Sequence, residues 1–295
     1  MSVNLSTSLF YDRSTSTMQA LQSKFDTFNE QISTGKKLLK PSDDSVGYQR
    51  LQGIQRANAD GVQDAANVKL AQSTLQQAGT TLTQMTDRLQ RAAELVVQAK
   101  SGTNSASAKA AIATELDGIL QSVVSLANAK DARGMPLFGG KDDGAAATRN
   151  GDGLTFAIGK APAMPLGDGQ SVEATVNAKD FLATPTSDIA AALTAIVTAL
   201  RADEEVPEGA SDTLDTVADQ VIGTQASLGA RAARVDLFAA QLKSAADDRE
   251  VARSGIEDAD PTETIVELQK TMTILQATQA SFSKLSSLSL FDYLR

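Results

Sequence analysis

The sequence predicts a mainly α fold: a long antiparallel helical rod, N- and C-terminal helices paired as a coiled coil, and a small β-rich inserted domain. Three observations predict it. Apolar residues recur at alternating spacings of three and four along several separate stretches, which sets them on one narrow helical stripe. Two of these stretches lie at opposite ends of the 295-residue chain. Helix periodicity disappears only between residues 141 and 183, where Gly, Asp and Pro become frequent.

In chain order, the first helix is expected from about Ser14 to Thr34, with Met18, Leu21, Phe25, Phe28 and Ile32 on its stripe. Gly35 supplies a C-terminal cap, and Lys36 and Lys37 suit the negative end of the helix dipole. Pro41-Ser42-Asp43-Asp44 reads as a fresh helix start, with Ser42 as N-cap and the two carboxylates in the first turn. A long rod follows on the unbroken stripe Val68, Ala71, Leu75, Ala78, Leu82, Met85, Leu89, Ala92 and Val96. From Asp43 to Lys100 such a helix runs about 90 Å. After the turn Ser101–Ser105, a shorter helix carries Ile112, Leu116, Ile119, Val123 and Leu126 and folds back antiparallel on the rod.

The 141–183 segment alternates turn signals with two β-like runs, 154–158 and 171–176, and reads as a small β-rich insert. At about 40 residues it needs the helices for its stability. Helix returns near Ser187 with Ile189, Leu193, Ile196 and Leu200. A second rod, from about Ser211 to Arg253, carries Leu214, Val217, Val221, Thr224, Leu228, Arg231, Val235, Phe238 and Leu242. Asp260-Pro261-Thr262-Glu263 opens the last helix, with Asp260 as N-cap, Pro261 in the first helical position and Glu263 in the third. Its stripe is Ile265, Leu268, Met272, Leu275 and Phe282, with Gln279 in one seam position. The nested order gives three expected domains: 1–40 with 256–295 as a terminal coiled coil, 41–140 with 184–255 as the helical rod, and 141–183 as the insert.

Composition narrows the function. The chain has no Cys, His or Trp, so disulfide and thiol chemistry are excluded and the commonest general base and metal ligand is missing. With 36 acidic against 27 basic residues and a net charge of −9, it lacks the clustered positive charge of a nucleic-acid binder. No apolar run approaches the roughly 20 residues of a membrane span, and the N-terminus lacks the marks of a cleaved secretory signal. No nucleic acid, membrane insertion, cofactor or metal is expected, and no titratable cluster at catalytic spacing points to an enzyme.

Several motifs, taken in order, carry a family likeness: Gln31-Ile32-Ser33-Thr34-Gly35-Lys36, then Pro41 to Asp44, then Asn128 to Arg133 with Leu137-Phe138-Gly139-Gly140. On the return leg come Gly229-Ala230-Arg231, Arg234-Val235-Asp236, Ser254 to Asp260, and the ending Leu288 to Leu294. The chain resembles the bacterial flagellin superfamily, and its ending is more similar to the hook-associated branch than to the filament subunit. Ser45-Val46 and Gly134-Met135-Pro136 depart from the family pattern.

The resemblance implies a structural subunit at the junction of hook and filament, secreted unfolded through the flagellar type III apparatus to the extracellular flagellum. It implies as partners further copies of the chain in a ring, an adjacent hook-associated junction protein, flagellin, and an export chaperone on the C-terminal helix. Flagellin itself and a secreted stalk-like adhesin or effector are the alternative readings.

Two narrow stripes cannot form a wide core, so an isolated terminal pair is marginal. On the residues alone the terminal seams read equally as the core of an internal bundle or as surfaces packed against other subunits. The resemblance favours the second and implies as subunit-interface residues Met18, Leu21, Phe25, Phe28, Ile32, Ile265, Leu268, Met272, Leu275, Phe282, Leu285, Leu288, Leu290 and Phe291. Elsewhere ordinary structural roles account for the polar clusters. Asp43 and Asp44 serve a helix start rather than a metal. Asp142, Asp143, Asn150 and Asp152 lack the closing Glu of a calcium loop. Arg231, Arg234 and Asp236 read either as a register or subunit salt bridge or as a solvated face, and Asp203 to Glu208 reads as a solvated acidic loop.

Overall fold

The computed structural model describes residues 2–140, 144–159 and 162–293, with side chains for all of these except 2–8, 10 and 285–293. In order, the elements are α1 (Ser2–Thr34), α2 (Ser45–Ala99), α3 (Ala106–Ala127), β1 (Ala147–Asn150), β2 (Gly153–Phe156), β3 (Met164–Gly167), β4 (Gln170–Val172), α4 (Lys179–Leu182), α5 (Ile189–Arg201), α6 (Glu208–Glu257) and α7 (Pro261–Tyr293). The fold is mainly α with two small antiparallel sheets, as the periodicity predicts. The chain divides into two compact units, residues 60–244 and residues 1–59 with 245–295.

The 60–244 unit holds the main core. Every α2 stripe residue from Val68 to Val96 is buried, with Leu82, Met85, Leu89 and Ala92 fully so. The facing α6 stripe is covered at Leu214, Val217, Val221, Leu228 and Val235, and Thr224, Arg231, Phe238 and Leu242 are half-buried in phase with it. The helices run antiparallel, since Gln72 donates to Asp236 at 2.6 Å while Gln225 donates to Thr83 at 2.9 Å. Arg91 reaches Glu115 at 2.8 Å, consistent with α3 folding back on α2. At 22 residues α3 is apolar and long enough to cross a membrane by length and composition, contrary to the sequence count. Its apolar face, from Ile112 to Ala127, is instead occupied by this core.

The insert forms two separate hairpins, β1–β2 and β3–β4. Two of the strands, β2 and β4, overlap the predicted runs; β1 and β3 lie outside them. Asp168 and Gly169 form the two-residue β3–β4 turn, both with positive φ, as a tight hairpin requires. Asn150 and Asp152 belong to the β1–β2 turn region, while Asp142 and Asp143 lie outside the described residues. Phe138 meets Phe181 edge-to-face at 5.2 Å. Asn128, at the end of α3, bonds both the N–H and the carbonyl of Ala147, at 3.1 and 2.7 Å, so one amide fixes the first hairpin to the helix.

Other local readings change. Asp44, not Ser42, caps α2, accepting from Val46 and Gly47 at 3.0 and 2.9 Å. Asp43 instead closes its own loop through the N–H groups of Leu39 and Lys40. Arg231 bonds the Glu173 carbonyl at 2.8 Å rather than Asp236. Asp203, in the acidic loop, pairs with Lys109 at 2.7 Å.

Candidate assembly interface

Within the unit of residues 1–59 and 245–295, α1 and α7 pair antiparallel. Tyr11 meets Phe282 edge-to-face at 5.4 Å, and Phe28 and Leu21 share a groove of about 300 Å³ with Thr271 and Ile274. Asp260 caps α7 through the N–H groups of Thr262 and Glu263, at 2.8 and 3.2 Å.

The α1 stripe is the predicted one from Met18 to Phe28, after which Gln31 rather than Ile32 is the half-buried position. Tyr11, Ser14, Met18, Leu21, Phe25 and Phe28 are half-buried, but none of them is fully covered, and Ile32 is exposed. The α7 stripe differs by one position at alternate steps. The residues turned toward α1 are Thr264, Leu268, Thr271, Leu275, Thr278 and Phe282, so threonines occupy places assigned to Ile265, Met272 and Gln279. Ile265 is 43% exposed and Met272 47%. The one-residue shift has a plain cause. A 3,4 rhythm is satisfied by two adjacent rows on a helix, and the buried polar row is narrower and suits close approach to the bulky α1 row. The side chains of Leu285, Leu288, Leu290 and Phe291 lie outside the described residues.

The contrast with α2 is direct. The same heptad rhythm leaves Leu82, Met85 and Leu89 at 0% exposure, because α3 and α6 cover them, while the terminal pair has one partner helix per stripe. The pair therefore leaves Ile265 and Met272 exposed beside its own seam.

At its base the pair is tied by a cluster that the sequence reading missed. Ala259 N–H donates to the Gly35 carbonyl at 2.9 Å and Lys37 N–H to the Glu257 carbonyl at 2.7 Å. Gly35 holds φ at +71° to make the turn. Lys37 Nζ caps the last turn of α6 through the Gly255 carbonyl at 2.8 Å, so the two lysines serve α6 rather than the end of α1. The Glu257 side chain, 6% exposed, lies between Lys36 and Arg253. Arg253 also reaches Glu250 at 2.8 Å and Asp258 at 3.3 Å. The bond from Lys36 holds the Glu257 carboxyl below its ordinary range, burial opposes this, and Arg253 adds to it. Arg253 is raised, chiefly by Glu250 and then by Glu257. The i,i+4 spacing of Arg253 and Glu257 was the legible signal; the Lys36 partner, more than 200 residues away, left none.

Helices from both ends of a chain, paired with each other, together with a separate helical body, define a structural subunit whose termini fold as one element. Residues 5–143 match the bacterial flagellin N-terminal helical region, and residues 212–294 match the bacterial flagellin C-terminal helical region. The chain belongs to the bacterial flagellin family. Flagellar hook-associated protein 3 of Escherichia coli K12 is 24% identical over 98% of this chain and 99% of its own length. The Salmonella typhimurium protein of the same name is 32% identical over 47% of this chain, and that match spans 44% of the Salmonella protein. The crystal structure of Bacillus cereus FlgL superposes with a TM-score of 0.58 at 25% identity, covering 70% of this chain and 99% of that one.

Proposed function

We propose that this chain is the structural subunit joining hook to filament in the bacterial flagellum, held there by its paired terminal helices. The end-to-end match to hook-associated protein 3 carries the reading. The incompletely covered terminal pair supplies the physical motive. Each apolar side chain that a neighbouring copy buries in full contributes about 1.5–3 kcal/mol, so Ile32, Ile265 and Met272, left exposed in the single chain, favour association. On this reading the subunit is exported unfolded, its C-terminal helix guarded by a chaperone. It then closes a ring between an adjacent junction protein and the first flagellin subunits, outside the cell.

Deletion of the gene tests this. The expected result is cells with hooks but no filaments and with monomeric flagellin in the medium. Filaments of normal length on the deletion strain would refute the junction role. Flagellin itself is the second reading, and self-assembly separates the two: long filaments grown from seeds by the purified chain would favour it, and a closed, limited ring favours the junction subunit.

A further inference from the structure

We propose that Glu257 is a positioning residue: with Lys36 and Arg253 it forms a lock that sets the register of α1 against α7 before any neighbour arrives. The α1–α7 seam specifies register weakly by itself. Its α7 side alternates threonine with leucine or phenylalanine, and a helix stripe that is only half covered tolerates slippage better than a filled core does. The base of the pair is different. Two backbone bonds join Gly35 and Lys37 to Ala259 and Glu257, making Lys36 and Asp258 antiparallel bridge partners.

Beside that bridge the Glu257 carboxylate is almost fully buried and held by two cations from different segments. A buried charge is tolerated only with its partners in place, and a displaced register would leave it unpaired. The groups around it are Lys36 and Lys37 from the α1–α2 link, Glu250 and Arg253 from α6, and Asp258 from the α6–α7 link. Leu38 and Leu51 of the same unit are buried. A lock at the base fixes the phase of every later turn of α1 and α7. It thereby fixes which row, that of Ile265 and Met272, is presented to neighbours.

The role in assembly rests on the junction reading above; the register lock is tested without it. Because the chain contains no cysteine, the pair Lys36→Cys and Asp258→Cys is the sole thiol pair. Bridge partners of this non-hydrogen-bonded kind lie about 4.5 Å apart at Cα, within the roughly 4.4–6.8 Å a disulfide spans. Amide hydrogen exchange on the full-length chain is the readout.

Glu257→Gln is expected to raise exchange about tenfold or more in residues 14–34 and 261–284 and to leave residues 68–126 unchanged. The double-cysteine chain is expected to behave like Glu257→Gln when reduced and like the wild type when oxidised. Unchanged exchange in Glu257→Gln, a rise spread evenly over both units, or identical oxidised and reduced forms would each overturn the lock. Failure of the wild-type gene to restore filaments to a deletion strain would instead overturn the junction reading, leaving the exchange result intact.

Discussion

Gly47 stands where a side chain would collide with a cap. A Cβ there would lie 2.4 Å from the Asp44 carboxylate that caps α2. Gly53, two turns on in the same helix, has open space around it. Gly53→Ala is therefore expected to stabilise its unit by about 0.5–1 kcal/mol. Gly47→Ala should forfeit that gain, and a further ~1 kcal/mol with the cap; urea melts of the two variants read the difference. Titration gives a second residue-scale test. Glu257 and Asp258 both have lowered pKa values, Glu257 first through Lys36 and Asp258 first through the Ser254 hydroxyl, with burial opposing in each. Lowered carboxyl pKa values mean stability that is fully present above the ordinary values of 4.5 and 3.8 and is lost as pH falls through the folded-state values. The terminal pair should thus lose exchange protection below about pH 4, while a loss beginning near pH 6 would point to some other group. The carboxylates were visible in the sequence, but their partners were not, because Lys36 is brought to Glu257 only by the returning chain.

At the scale of elements, the two rods were legible nearly residue by residue. Val68 to Val96 and Leu214 to Leu242 each face one core, and a stripe covered on its full width leaves a single phase that satisfies burial. The terminal helix α7 was legible only in part. Its rhythm admits two neighbouring rows, and composition favoured the apolar row of Ile265 and Met272 over the threonine row that meets α1. The two rows make separable predictions. Met272→Ser and Ile265→Ser, both at exposed positions, should alter monomer stability by no more than about 0.5 kcal/mol yet abolish incorporation into flagella. Leu275→Ala, in the seam, should instead destabilise the pair by about 2 kcal/mol, seen as lower helicity with preserved melting of the other unit. Normal flagella from Met272→Ser cells would remove that row from the interface. Asn128→Ala tests the attachment of the β1–β2 hairpin. It leaves the N–H and carbonyl of Ala147 without their partner, at about 1–3 kcal/mol for each buried group left unmade, read as a lowered melting midpoint.

For the whole molecule, burial is unequally shared. The 60–244 unit contains the filled core from Val68 to Val235, whereas among its described residues the unit of the termini has few buried large apolar side chains, namely Leu38, Leu51 and Leu275. Limited proteolysis of a verified dilute monomer should accordingly cut first before about residue 40 and after about residue 260, since opening free energy follows buried contact. Full protection of both ends would contradict the reading of the termini as surfaces completed by neighbours. Removal of residues 288–295 should block incorporation and leave the melting of the 60–244 unit unchanged. The sequence by itself determined the helical class, the two rods, the interrupted stretch near residues 141–183, and the family. Each of these depends on periodicity or on motif order, which local chemistry writes into the chain. Only the tertiary structure decided which α7 row faces α1, that the insert is two hairpins, and that Glu257 sits between Lys36 and Arg253. These depend on pairings between residues far apart in the chain, and the rhythm of either partner alone does not choose among the rows it could offer.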